Sequence, residues 1–319
     1  MQINTAEQQG KVIVGLGQTG LSYARYLHSR NEIFTVVDSR KNPPGLQELK
    51  EKFPEAKVEL GDFKVSTFLN ATELLVSPGV DLCEPVLVKA IEKDIPITGD
   101  INIFAQNINS PIIAITGSNA KSTVVSLLGE MALQAGIDAA VAGNIGKPVL
   151  DLLNEDEHKL YVLEISSFQL ETTTSLGAEV ACVLNISADH MDRYDSIQDY
   201  HSAKHRIFQA CKQAVINRDD PLSNALLPDS VKRWQYGLDE GDINEFGLLE
   251  VEGEIYLGFN RQALMLADDV KVAGRHNLSN ALAALTIGLA SGLDMESMLQ
   301  TLRQFSGLPH LCQWVSEIA

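Results

Sequence analysis

The run Ile112-Ile113-Ala114-Ile115-Thr116-Gly117-Ser118-Asn119-Ala120-Lys121-Ser122-Thr123 carries the strongest chemical signal in this chain. An apolar, β-branched stretch empties into small residues. Lys-Ser-Thr then opens an amphipathic pattern through Val124, Val125, Leu127, Leu128 and Met131. A strand, a tight loop and a helix start are the parts a triphosphate requires. Backbone N–H groups and the positive helix end face the anion, Lys121 adds a point charge, and a hydroxyl can hold Mg2+. The usual P-loop places four residues between its two glycines, whereas here only two separate Gly117 from position 120, and that position is Ala120. An ordinary strand-to-helix turn explains the run equally well, so the pattern alone leaves nucleotide binding open.

Further groups lie downstream. Glu164 follows the apolar stretch Tyr161-Val162-Leu163, and in open α/β sheets the ends of such strands face the ligand crevice. One carboxylate with phosphate oxygens and water suits Mg2+, although a surface glutamate would look the same. Asn185-Ile186-Ser187-Ala188-Asp189-His190-Met191-Asp192-Arg193-Tyr194 crowds acids, an imidazole and a guanidinium just past another strand, where Asp189 could orient His190. Lys204 by itself reads as a solvated lysine. Asn144, between Gly143 and Ile145-Gly146, reads as a turn residue. Asn277 is expected to cap a long helix over 276–289, with Asn280 one turn along and free to read a base.

The elements that must position these groups alternate strand and helix. Lys11-Val12-Ile13-Val14 leads into Gly15-Leu16-Gly17-Gln18-Thr19-Gly20, then a helix, then a strand over 33–37 closed by Asp38. This is the glycine fingerprint of a doubly wound nucleotide fold, with the acid placed to meet a ribose or base. Leu74-Leu75-Val76 runs into the turn Ser77-Pro78-Gly79, and a helix covers 86–93. A boundary is expected at 99/100. Parallel strands are expected at 112–115, 161–163, 180–184 and 214–216, an antiparallel flank at 246–272, and a last helix at 295–305. The end, Gln313-Trp314-Val315-Ser316-Glu317-Ile318-Ala319, reads as the beginning of a strand and points to a truncated chain.

Bulk properties narrow the classes. The 319 residues carry 25 basic and 42 acidic side chains, a net charge of −17, which disfavours nucleic acid and anionic membranes as partners. An anionic small substrate would need a local basic pocket against that field. Neither a signal peptide nor a transmembrane run is visible, so a cytoplasmic location is expected. Cys83, Cys182, Cys211 and Cys312 show no metal or disulfide spacing and read as reduced thiols.

Taken in order, these segments resemble the Mur ligase family from about Lys11 to His310, and Ser166-Ser167-Phe168-Gln169-Leu170-Glu171 resembles its D-glutamate-adding branch. The resemblance implies three parts. Residues 1–99 would be a Rossmann-like UDP-binding domain. Residues 100–306 would be a central P-loop ATPase-type α/β domain, and 307–319 the start of an absent third domain. It implies an ATP-dependent amide ligase of peptidoglycan precursor synthesis, monomeric, joining D-glutamate to UDP-N-acetylmuramoyl-L-alanine. UDP would be held by Gln18, Thr19, Asp38, Ser39, Arg40, Ser77, Pro78 and Gly79, and the rest of that substrate by Asn144 and Ser166. ATP would be held by Gly117, Ser118, Asn119, Ala120, Lys121, Ser122 and Thr123, with its adenine on Asn277 and Asn280. Two Mg2+ ions would involve Ser122, Glu164, His190 and Lys204, the last carbamylated; Lys121, Glu164, His190 and Lys204 form the implied catalytic set.

Three departures from the family pattern stand out. Ala120 replaces a glycine, Gln18 stands where leucine is common, and Leu311 follows His310 where an arginine is expected. Substrate binding with slow or no turnover is therefore the expectation. Another amino-acid ligase of the same fold, a non-catalytic nucleotide-binding module and a nicotinamide dehydrogenase are the competing readings.

Overall fold

The structure, a computed structural model, describes residues 10–174, 176–272 and 274–307. The expectations placed on 308–319, including Leu311, Cys312 and the strand-like end, lie outside the described residues. The chain forms two compact units. One holds the described residues up to Ile108 with Lys147–Glu157 and Phe168–Thr174. The other holds Asn109–Gly146, His158–Ser167 and the described residues after Thr174. A single cut at 99/100 does not describe this division, because two later segments return to the first unit.

The first unit contains β1 (Lys11–Val14), α1 (Gln18–Ser29), β2 (Phe34–Asp38), α2 (Leu46–Lys52), β3 (Lys57–Leu60), α3 (Val65–Leu69), β4 (Leu74–Val76), α4 (Pro85–Ile91), β5 (Ile97–Thr98) and α5 (Asp100–Gln106). Its sheet is all parallel in the order β3-β2-β1-β4-β5. The order reverses between β1 and β4, so the loops after these strands flank the switch point where such sheets take ligands. Val12, Val14, Val37, Phe68, Leu74, Val76 and Leu87 form its core. Gly20 is dictated by a close approach: a Cβ there would lie 2.1 Å from Gly15 O. Gly17, the middle glycine, faces open space, with nothing within 4 Å of where a Cβ would stand.

The second unit contains β6 (Ile112–Thr116), α6 (Lys121–Gln134), β7 (Ala139–Gly143), β8 (Leu160–Glu164), α7 (Ser167–Glu171, whose later residues belong to the first unit), β9 (Val180–Val183), α8 (Ile197–His205), β10 (Gln213–Asn217), β11 (Lys232–Tyr236), β12 (Glu245–Val251), β13 (Glu254–Phe259), β14 (Gln262–Leu266), α9 (Arg275–Ala290) and α10 (Met295–Gln304). The sheet order is β14-β13-β12-β11-β10-β9-β6-β8-β7. Pairing is parallel from β7 to β12, and β12 with β13 and β13 with β14 pair antiparallel, which is the flank expected at 246–272. Ile113, Ile115, Val124, Leu128 and Met131 pack with Leu282, Leu285 and Met298 in its core. The expected cap of α9 is corrected: Gly274 occupies that position with φ +108°, and Asn277 lies in the first turn. Among the described residues no helix is long and apolar enough to cross a membrane.

One buried acid in the first unit stands out. Asp100 is 3% exposed, its Oδ2 accepts a hydrogen bond from Gln169 Nε2 at 3.0 Å, and its Oδ1 has no partner among the described residues. Burial pushes its pKa up to about 6, against the opposing pull of the Gln169 hydrogen bond. The folded state therefore favours the protonated form. That contribution is fully present below the unfolded value near 3.8 and is lost as pH rises through about 6. Asp100→Asn should be more stable than wild type at pH 7.5, on the order of 2 kcal/mol, with the gap closing towards pH 4. Urea unfolding at both pH values checks this, and a gap independent of pH contradicts it.

Candidate functional site

The site grows from the end of β6. After Thr116 the chain turns through Gly117 to Ala120, and α6 begins at Lys121. Ala120 adopts a left-handed conformation, φ 66° and ψ 2°, which a Cβ makes unfavourable by roughly 1 kcal/mol. The neighbouring loop after β9 holds the turn in place. Ser118 N–H donates to Asn185 O at 2.9 Å and Asn119 N–H to Asn185 Oδ1 at 2.8 Å. Asn185 Nδ2 donates back to Asn119 O at 3.1 Å. Ser118 Oγ donates to Ser187 O and accepts from Ser187 N–H, each at 3.0 Å.

Glu164 ends β8, two strands' width from the β9 loop and directly beside β6. It is 2% exposed, and both carboxylate oxygens are engaged: Ser122 Oγ donates to Oε2 at 2.8 Å and Asn144 Nδ2 to Oε1 at 2.9 Å. The backbone fixes this contact, because Asn144 N–H also donates to Glu164 O at 2.8 Å. Gly143 permits it, with φ +111° and a position where a Cβ would lie 2.1 Å from that same carbonyl oxygen.

Two lysines converge on one acceptor. Lys121 Nζ donates to Gly117 O at 2.8 Å and Ser118 O at 3.1 Å, and Lys204 Nζ donates to the same Gly117 O at 2.9 Å and to Thr116 Oγ1 at 3.3 Å. Lys204 is 1% exposed, and its Nζ lies 4.6 Å from the centre of the Tyr200 ring. Burial, and after it the charge of Lys121, lowers the Lys204 pKa to about 7, although Asp189 and Glu164 pull upward. Burial also lowers that of Lys121, again opposed by Glu164 and Asp189. The lysine that reads as a solvated surface residue is thus a buried amine whose pKa is brought down to about 7.

The remaining expected residues divide. His190 has φ 55°, half-exposed beside Asp189, with its Nε2 at 3.5 Å from Asp189 Oδ2 and its ring 6.3 Å from that of Tyr200. Asn280 Nδ2 donates to Asn277 Oδ1 at 3.2 Å, and both line a small, largely apolar pocket with Thr123, Leu127, Ala281 and Phe305. Ser166, half-buried, follows Glu164 by two residues. Sequence reasoning assigned no role to Asn185, Ser187, Thr116 or Tyr200; lying two residues past the end of β9, Asn185 could have been found from the strand-end rule alone.

In the first unit, Asp38 is buried at the end of β2. Its Oδ2 accepts from Leu16 N–H at 2.7 Å and Arg40 Nη2 at 2.7 Å, and its Oδ1 accepts from Arg40 N–H and Nε, both at 2.8 Å. Burial pushes its pKa up, but the Arg40 and Leu16 hydrogen bonds outweigh this and leave it below the ordinary carboxylate value. Arg40 and Ser39 are exposed beside it. Gln18 and Thr19 begin α1, with Gln18 exposed; Ser77 Oγ donates to Gly15 O at 3.0 Å, next to Pro78 and Gly79.

Among the described residues no three His, Cys, Asp or Glu side chains converge as metal ligands. Ser122 Oγ and Glu164 are instead a pair of oxygen donors beside a helix N-terminus. Mg2+ that takes most of its shell from phosphates and water needs no more, so the pair fits that ion. His190 and Lys204, expected with a second ion, have the other partners just described.

Doubly wound sheet, anion-facing loop and carboxylate–hydroxyl pair together define a P-loop-type α/β protein with a separate Rossmann-like unit. The N-terminal domain of MurD-like Mur ligases matches residues 9–99, and the Mur ligase middle domain matches 115–288. A Pseudomonas putida protein named UDP-N-acetylmuramoylalanine–D-glutamate ligase is 52% identical over 312 residues, covering 98% of this chain and 69% of that protein. A protein of the same name from Nitrosococcus oceani is 49% identical over 307 residues, covering 96% and 68%. Two solved structures share the fold. A Neisseria meningitides UDP-N-acetylmuramate:L-alanyl-γ-D-glutamyl-meso-diaminopimelate ligase has a TM-score of 0.62 at 14% identity, covering 94% of this chain and 99% of that one. A Thermotoga maritima UDP-N-acetylmuramate-alanine ligase has 0.55 at 18%, covering 94% and 69%. The chain belongs to the Mur ligase family.

The left-handed turn yields a prediction. Ala120→Gly should raise the unfolding free energy by about 0.5 kcal/mol, the relief of the Cβ clash less the greater freedom of glycine in the unfolded chain. Denaturant unfolding of the two proteins checks this, and a clear loss of stability contradicts it.

Proposed function

We propose that this chain is the ATP-dependent ligase that joins D-glutamate to the terminal alanine carboxylate of UDP-N-acetylmuramoyl-L-alanine. The observation that carries the reading is the convergence of two hydrogen-bonded groups at the carboxyl rim of the central sheet, Ser122 and Asn144 on Glu164 and Lys121 and Lys204 on Gly117 O. The names of relatives at about half identity over nearly the whole chain supply the substrates.

A carboxylate is a poor electrophile, so it must first acquire a leaving group. Its oxygen attacks the γ-phosphorus of ATP and ADP departs. The amine of D-glutamate then attacks the acyl carbon of the mixed anhydride, and phosphate and a proton leave as the amide forms. The α6 N-terminus and Lys121 hold the phosphates and offset charge gathering on the transferred group. Ser122 and Glu164 would hold Mg2+, which supplies further charge neutralisation on the phosphate oxygens. Asn277 and Asn280 offer amides to the adenine, and Asn144 and Ser166 meet the peptidyl end of the other substrate. Thr19, Asp38, Ser39, Arg40 and the 77–79 turn take the UDP moiety in the first unit, with Gln18 at its edge.

Lys204 suits carbamylation. A neutral amine adds CO2 with formation of an N–C bond and loss of one proton, turning a base crowded by Lys121 into an anion attracted by it. Under 13C-bicarbonate the chain should show a carbamate resonance that grows between pH 6 and 8 and is missing from Lys204→Arg. A spectrum unchanged by that substitution contradicts the assignment. Leu311 stands where the family resemblance expects arginine, so turnover is expected to be low.

For the reaction itself, phosphate release above the ATP blank should require both UDP-N-acetylmuramoyl-L-alanine and D-glutamate, and Glu164→Gln should lower it about 100-fold. Release that ignores D-glutamate, or follows another amino acid better, overturns the proposal.

A further inference from the structure

The loop that faces the phosphates spends its N–H groups in two ways. Those of Ser118 and Asn119 are consumed by Asn185, one by its carbonyl at 2.9 Å and one by its side chain at 2.8 Å. Those of Ala120, Lys121, Ser122 and Thr123 have no protein acceptor among the described residues, as a helix start leaves them. The pivot between the two sets is Ala120, held at φ 66° although it carries a Cβ. Something must hold a non-glycine residue there. The contacts that do so come from Asn185, whose amide grips the preceding residue on both sides: Oδ1 takes the Asn119 N–H and Nδ2 gives to the Asn119 carbonyl.

We propose that Asn185 is a positioning residue for nucleotide binding, whose side chain clasps Asn119 and so keeps the 118–120 turn in the shape that aims the next four N–H groups at the phosphates. The inference rests on the reading of this loop as the ATP site. Asn185 does not touch the phosphates in this arrangement. It acts through the turn, by raising the fraction of molecules whose loop is competent to bind. A glycine at position 120 would adopt the turn without being held, which makes the clasp matter most in a chain that carries alanine there.

The test is titration calorimetry of the 319-residue chain with Mg2+ and a non-hydrolysable ATP analogue. Asn185→Ala loses two hydrogen bonds of the clasp and should raise Kd about tenfold. Adding Ala120→Gly to that variant should return Kd to within about threefold of wild type, a rescue that general loosening of the fold would not show. Asn185→Asp keeps the side-chain shape and the acceptor for Asn119 N–H but turns an oxygen towards Asn119 O. It too should bind more weakly while unfolding at the wild-type temperature, so the inference stays testable if the alanine variant folds poorly. Unchanged affinity in both Asn185 variants, or a loss that Ala120→Gly leaves untouched, overturns the inference alone. A wild-type chain that binds no analogue overturns the functional reading and this inference with it.

Discussion

One carbonyl oxygen, that of Gly117, receives hydrogen bonds from two lysine side chains, and the chemistry of the second unit follows from that crowding. Two ammonium groups on one acceptor repel each other, and burial removes the water that would screen them. The molecule relieves this by lowering the pKa of one of them, Lys204, to about 7 and by setting Glu164 and Asp189 nearby as counter-charges. The result is a cluster in which two lysines are offset by two acids inside a chain of net charge −17.

The scaffold delivers this arrangement through strand order. β8 and β9 lie on either side of β6, so the loops after all three open on the same rim. The Gly117 turn comes from β6, Glu164 from β8, and Asn185 with the 187–190 segment from β9. Each delivery depends on a tight contact: Gly143 against Glu164 O for the carboxylate, and the Asn185 side chain on the Asn119 backbone for the 118–120 turn. Local strain at Ala120 is therefore tolerated because neighbouring loops hold it from outside.

Much of the fold was legible because parallel strands buried on both faces read as continuous apolar runs. β1, β6, β8, β9 and β10 announce themselves in this way, and their strand-end residues could be placed at one rim by topology alone. β7 was missed because Ala139-Ala140-Val141-Ala142-Gly143 carries little β-branched character, and β11 because Lys232-Arg233-Trp234-Gln235-Tyr236 is polar. The cap of α9 was misplaced because Asn277 has the right residue type three positions too late; Gly274 supplies the backbone angle instead. Within the site, residue types could nominate Lys121 and Glu164. They could not show that Lys204 is buried, that it shares an acceptor with Lys121, or that Asn185 uses two of the loop's N–H groups. Those are consequences of tertiary approach between segments dozens of residues apart.

The central claim is that the rim around Gly117 is a phosphate and metal site in which Lys121 is held on backbone carbonyls until an anion draws it away. A crystal structure of this chain with Mg2+ and an ATP analogue tests that most directly. The account predicts phosphate oxygens on the N–H groups of residues 120–123, the Lys121 ammonium moved from Gly117 O to a phosphate, and the cation beside Ser122 and Glu164. Nucleotide bound elsewhere, or phosphates seated with Lys121 still on Gly117 O and no cation near Glu164, would contradict it.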